Sequence, residues 1–145
     1  LVRENRLYQT DWLLRFYGFE LNEILNPSFQ ELDLEIDPKL SWALRNPHLF
    51  PVDINTADYS MIIRIPGIGR QSALKIIKAR KFGRLHEYQI KKMGIAFNRA
   101  RHFMVCADSP FQLGFASMDQ VRAQIVNKSA SKTKQLVSPQ LNLFA

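Results

Sequence analysis

The chain has 145 residues, 46% of them hydrophobic, a formal net charge of +7 and one cysteine. That length holds one ordinary packed domain or two small ones. No apolar run approaches the roughly 20 residues of a membrane span, and the lone Cys106 excludes an internal disulfide or a cysteine-ligated cluster, so the expectation is a soluble cytoplasmic protein.

The charge is segregated. Residues 1–60 carry five Lys/Arg against ten Asp/Glu, net −5, whereas residues 61–145 carry fifteen against three, net +12. A basic half of this strength points to a polyanion partner. The opening at Leu1, in helical character, reads as the C-terminal piece of a longer protein.

Arg3 to Phe19 has a helical pattern, with Leu7, Trp12, Leu13, Phe16 and Tyr17 on a broad apolar face and Gly18 placed as a C-terminal cap. So many aromatics read as core; nucleic-acid stacking by Trp12 or Tyr17 is the alternative. Leu21 to Leu25 continues as a short helix ended by Asn26-Pro27. Glu31 to Ile36 is an acidic extended loop. Asp37-Pro38 then supplies an N-cap and a first-turn proline for a helix reaching about Arg45.

Ile62 to Arg80 reads I-I-R-I-P-G-I-G-R-Q-S-A-L-K-I-I-K-A-R, which predicts a helix, a tight hairpin and a second helix with Ala73, Ile76 and Ile77 on one face. Pro66 cannot continue the first helix, Gly67 and Gly69 tolerate positive φ, and Ile68 is left to plug the angle between the helices. Without Cβ atoms at the two glycines, a phosphate oxygen can approach the unpaired N–H groups that open the second helix. Arg70, Lys75 and Lys78 add positive charge. Ser72 is either a first-turn polar residue or a phosphate hydrogen-bond donor. Such a site grips a backbone and reads no base.

These residues, together with Asn55-Thr56-Ala57-Asp58 upstream, resemble the helix-hairpin-helix DNA-binding motif of repair and recombination proteins. The resemblance allows a monovalent cation between hairpin carbonyls and phosphate. R-L-Y-Q-T-D-W-L-L-R-F-Y-G-F at Arg6 to Phe19 and D-P-K-L-S-W-A-L-R-N-P at Asp37 to Pro47 extend the likeness. Over about residues 1–106 the chain resembles the C-terminal region of DNA modification or repair radical SAM proteins, a family associated with a uracil-DNA glycosylase-like partner. That resemblance implies an iron–sulfur cluster and S-adenosylmethionine in an upstream domain, whose C-x-x-x-C-x-x-C ligands do not occur here.

The hairpin pattern repeats in weaker form. Leu85 to Lys92 predicts a helix, Met93-Gly94-Ile95-Ala96 stands where P-G-I-G stood, and Phe97 to Val105 predicts another helix. With Ala96 in place of the second glycine, this hairpin is either a structural mate or a second phosphate site. Gly94, Arg99 and Arg101 are its contact candidates.

The hairpin also resembles that of the endonuclease III class of DNA glycosylases, but the nucleophilic lysine position holds Gln71, and near the catalytic aspartate position stand Gln89 and Glu87. Base excision needs a carboxylate and lyase chemistry an amine, so the chain reads as no enzyme in itself. His48, His86 and His102 lack metal-site spacing.

Ser117 to Val126 predicts a short helix, with Ser117 and Gln120 as a capping box. Asn127 to Pro139 is a Ser/Lys-rich linker. Gln140, Leu141, Leu143 and Phe144 in Q-L-N-L-F resemble the peptide by which bacterial replication and repair proteins bind the sliding clamp.

The expected architecture is therefore all-α. Residues 1–50 form a helical extension, 51–107 a tandem helix-hairpin-helix domain, 108–126 a short helical extension and 127–145 a linker with a clamp-binding-like tail. The expected function is sequence-nonspecific DNA binding, with a glycosylase or a protein-interaction module as the alternatives.

Overall fold

The computed structural model describes residues 1–109 and 119–127. Helices α1 (Val2–Phe16), α2 (Leu21–Ile24) and α3 (Pro38–Arg45) make up the N-terminal half, and α4 (Tyr59–Ile62), α5 (Arg70–Ala79), α6 (Glu87–Lys91) and α7 (Phe97–Ala100) follow. Residues 119–127 form α8. The structure is mostly helical. It departs from an all-helical fold at β1 (Val52–Asp53) and β2 (Met104–Val105), a short parallel pair in register Val52 with Met104 and Asp53 with Val105.

That pair corrects the expected helix over Phe97 to Val105. The helix lasts one turn, because the chain beyond Ala100 is drawn out to meet β1: Val52 N–H donates to Phe103 O at 2.9 Å and Ile54 N–H to Val105 O at 3.2 Å. The β-pair thereby clips the start of the hairpin region to its end. Asn55 adds a two-way clasp, accepting from Leu85 N–H at 2.8 Å and donating to Leu85 O at 3.2 Å.

Local signals act where they are strongest. Asp37 caps α3 by accepting from Leu40 N–H at 2.8 Å, with Pro38 in the first turn. Gly18, at φ +71°, turns the chain after α1, and Phe19 N–H returns to Leu13 O.

One hydrophobic core runs from Leu13 to Ile125. Its spine is a chain of edge-to-face aromatics, Phe19 on Trp42, Trp42 on Phe50 and Phe50 on Phe103, with ring centroids 5.0, 5.9 and 5.3 Å apart. Arg64 ties the halves together at the surface: it bonds Glu23 and Gly18 O and lies 4.2 Å over the Phe19 ring. Arg122 on α8 pairs with Asp33 at 2.6 Å and Glu35 at 3.1 Å, which holds both the acidic loop and the last described helix.

The broad aromatic face expected of α1 is not core. The stripe that packs inward is Arg6, Thr10, Leu13 and Tyr17, whereas Leu7, Trp12 and Phe16 are exposed. Both sides of the helix carry apolar residues, so tertiary contacts with α3 decided which stripe was buried.

Candidate nucleic-acid interface

After α4 the chain tightens through Arg64 and Ile65, whose N–H groups bond three residues back, until Pro66 offers no donor. Ile68 N–H closes the turn on Ile65 O at 3.1 Å. With proline second and Gly67 third at φ +92°, this is the arrangement of a type II turn. Pro66 and Ile68 are buried beneath it, Ile68 as the expected plug. Gly69 then sits in extended conformation as the N-cap of α5, and no side chain caps the helix. The N–H groups of Arg70, Gln71 and Ser72 have no intrahelical acceptors, and the helix dipole adds positive potential at the same point.

The two glycines divide the work. A Cβ on Gly67 would stand 2.6 Å from Ala96 O and 3.3 Å from Ala100 Cβ, so its bare backbone admits the Met93–Ala96 turn and α7. Gly67 O accepts from Ala96 N–H at 3.0 Å across the same contact. A Cβ on Gly69 would meet only the Tyr17 hydroxyl, at 3.7 Å, so the backbone there is approachable. Ser72 faces the Met93–Ala96 turn: the residue is buried and its hydroxyl donates to Met93 O at 2.9 Å. Gly94, at φ +76°, turns the chain opposite Ser72.

The basic residues separate by exposure. Arg70, Lys75 and Lys78 project from the open face of α5, and Arg101 is exposed after α7. Arg99 is committed elsewhere, paired with Asp37 across the molecule. Arg80 is likewise spent on Ile54 O and Ala57 O.

Lys39 meets the hairpin although no sequence signal marks it. It lines a surface cleft, and its ammonium donates to Ile68 O at 2.6 Å and lies 4.9 Å from the Tyr17 ring centre. Burial lowers its pKa to about 7; Asp37 opposes that shift and Arg99 adds to it. The peptide whose carbonyl it grips is the one whose N–H belongs to Gly69, so a charged Lys39 polarises that N–H at the start of α5.

Asp37 holds this arrangement by capping α3, pairing Arg99 and facing Lys39. Replacing it with alanine is expected to cost about 2 kcal/mol in urea unfolding, about half from the cap and half from the partly shielded ion pair. Asp37→Asn, which keeps a capping oxygen, should recover the first half only.

Lys39 places a positive charge on Ile68 O, one of the hairpin carbonyls where the resemblance would allow a monovalent cation. Ile65 O, Gly67 O and Ile68 O are engaged by Ile68 N–H, Ala96 N–H and the Lys39 ammonium, and the last also brings its own charge. Among the described residues no group of three or more His, Cys, Asp or Glu is placed to hold a metal ion. Glu87 pairs with Lys91 at 2.9 Å, Gln89 accepts from His86 N–H at 2.8 Å, and Gln71 is exposed. The clamp-like residues Gln140, Leu141, Leu143 and Phe144 lie outside the described residues. No helix among those described is long and apolar enough to cross a membrane.

The family model for the helix-hairpin-helix motif matches residues 50–89, from the approach to β1 into the first turn of α6. No curated protein and no solved structure matches the chain.

Proposed function

We propose that the chain is a sequence-nonspecific DNA-binding module that grips a backbone phosphate at the start of α5. The observation that carries this reading is the uncapped end of α5 behind Gly69, with Arg70, Lys75 and Lys78 exposed along the helix that follows. The motif match over residues 50–89 supports it, as does the net +12 of the C-terminal half. Helix N-terminus and side-chain charges attract any phosphate alike, so affinity should ignore base sequence.

The Met93–Ala96 turn with α6 and α7 is read as the structural mate of the first hairpin in a tandem unit. In support, its contacts with Gly67 and Ser72 are hydrogen bonds of packing, and α7 has a single turn. Arg101, exposed just after α7, is a further candidate contact. We assign the chain no catalysis of its own; the likeness of its first 106 or so residues to radical SAM proteins of DNA modification supports a role in positioning such chemistry on DNA. The Q-L-N-L-F sequence supports recruitment to a sliding clamp.

Binding of a labelled duplex is expected to weaken steeply with salt. Substituting Arg70, Lys75 and Lys78 together by glutamine should lower the slope of log K against log salt by roughly 0.9 for each phosphate that is no longer neutralised. Affinity should fall equally on unrelated duplex sequences. An unchanged slope would reduce the hairpin to a turn.

A further inference from the structure

The exposed ridge of α1 lies beside the proposed phosphate grip. Tyr8, Trp12 and Phe16, at i, i+4 and i+8, line one strip of the helix, and all three are exposed, Trp12 at 53%. The Trp12 and Phe16 ring centroids are 4.4 Å apart, and the Arg70 guanidinium lies 4.9 Å from the Phe16 centroid. Arg70 is the first residue of α5, so one side chain joins the aromatic ridge to the end of the helix that receives phosphate. Along the ridge, between α1 and the start of α3, runs a cleft of about 550 Å³ that Tyr17 and Lys39 also line, the former beside Gly69 and the latter bonded to Ile68 O.

We propose that this cleft takes unpaired nucleotides of a DNA strand whose backbone is held at the hairpin, with a base stacked on Trp12. This rests on the DNA-binding reading and names the form of DNA bound. The volume is in the range of a small-molecule site, and flat rings beside fixed positive charge suit a base attached to its phosphate. The acids in the cleft wall do not oppose an anion at full strength: Asp11 pairs with Arg15 at 3.1 Å and Asp37 with Arg99. A paired base offers no free face to Trp12. Single-stranded extensions, gaps or unpaired bases next to duplex therefore form the ligand class.

The test compares the 145-residue chain on a blunt duplex and on the same duplex carrying a five-nucleotide single-stranded extension, at one salt concentration. The extension is expected to tighten binding about tenfold, the effect of one stacked base. Trp12→Ala should abolish that preference while leaving blunt-duplex affinity unchanged, and Trp12→Phe should restore part of it. In the wild type, the extension should quench tryptophan emission more than the blunt duplex does; with Trp42 3% exposed, Trp12 is the accessible reporter. Equal affinity for the two DNAs without added quenching would overturn this inference and leave duplex binding standing. Preference retained in Trp12→Ala would likewise overturn it. Absence of salt-dependent binding to either DNA would remove both the inference and the reading beneath it.

Discussion

Gly67→Ala is expected to destabilise the fold by roughly 3 kcal/mol, lowering the melting temperature by about 6–12 °C, whereas Gly69→Ala should stay within about 1 kcal/mol of the wild type. Two effects add at Gly67. Its φ of +92° is strained for any residue with a Cβ, and the new atom would stand 2.6 Å from Ala96 O. That oxygen belongs to the backbone of the Met93–Ala96 turn and cannot swing away. Gly69 is extended, and its nearest neighbour in that direction is a side-chain hydroxyl at 3.7 Å. DNA binding should show the converse pattern. Gly69→Val keeps the fold but crowds the N–H groups of α5, so its salt-dependent affinity should fall. Thermal melts beside anisotropy titrations check both; equal stabilities for the two alanine variants would contradict the division of labour between the glycines.

Lys39→Met is expected to raise stability and weaken DNA binding, each with its own pH dependence. A lysine with a folded-state pKa near 7 binds fewer protons folded than unfolded between about pH 7 and its ordinary value of 10.5. Wild-type stability should therefore gain from this group as pH rises through that window. At pH 6 the charged form is buried at a penalty on the order of a few kcal/mol. Methionine removes the penalty but also the bond to Ile68 O, worth about 1 kcal/mol. The variant should be more stable than wild type at pH 6 by about 2 kcal/mol or more, and slightly less stable near pH 10. DNA binding runs the other way, because a phosphate at Gly69 favours the protonated amine. Wild-type affinity should decline above pH 7, several-fold by pH 9, while the variant starts lower and changes less. Urea unfolding and anisotropy at pH 6, 8 and 10 separate the two effects; parallel pH profiles for wild type and variant would contradict the assignment of charge to Lys39.

The Gly69 and Lys39 substitutions bear on one peptide group from opposite sides. Ile68 O receives the ammonium, and Gly69 N–H, on the other side of the same peptide, adjoins the proposed phosphate grip.

Much of the local backbone was legible in the sequence. Pro66-Gly67 dictates the turn, Asp37-Pro38 starts α3, and Gly18 ends the first helical segment, because proline, glycine and a capping carboxylate restrict or satisfy the backbone within a few residues of themselves. The exposed cations Arg70, Lys75 and Lys78 were legible too, since the apolar stripe Ala73, Ile76 and Ile77 fixes the opposite face of α5. Other features depended on partners distant in sequence. Arg99 and Arg101 look equivalent as residues, yet Asp37, 62 positions from Arg99, takes one and leaves the other exposed. Gly67 and Gly69 both permit close approach, and only the packing of Ala96 shows that the first admits protein. Lys39 carries no motif at all, and the expected core of Trp12 and Phe16 became an exposed ridge. The sequence by itself determined where the chain turns and where helices begin, since those choices are made by each residue's own φ and hydrogen-bonding groups. The tertiary structure alone decided which faces and charges remain open, because burial and pairing depend on what the rest of the fold brings within a few ångströms.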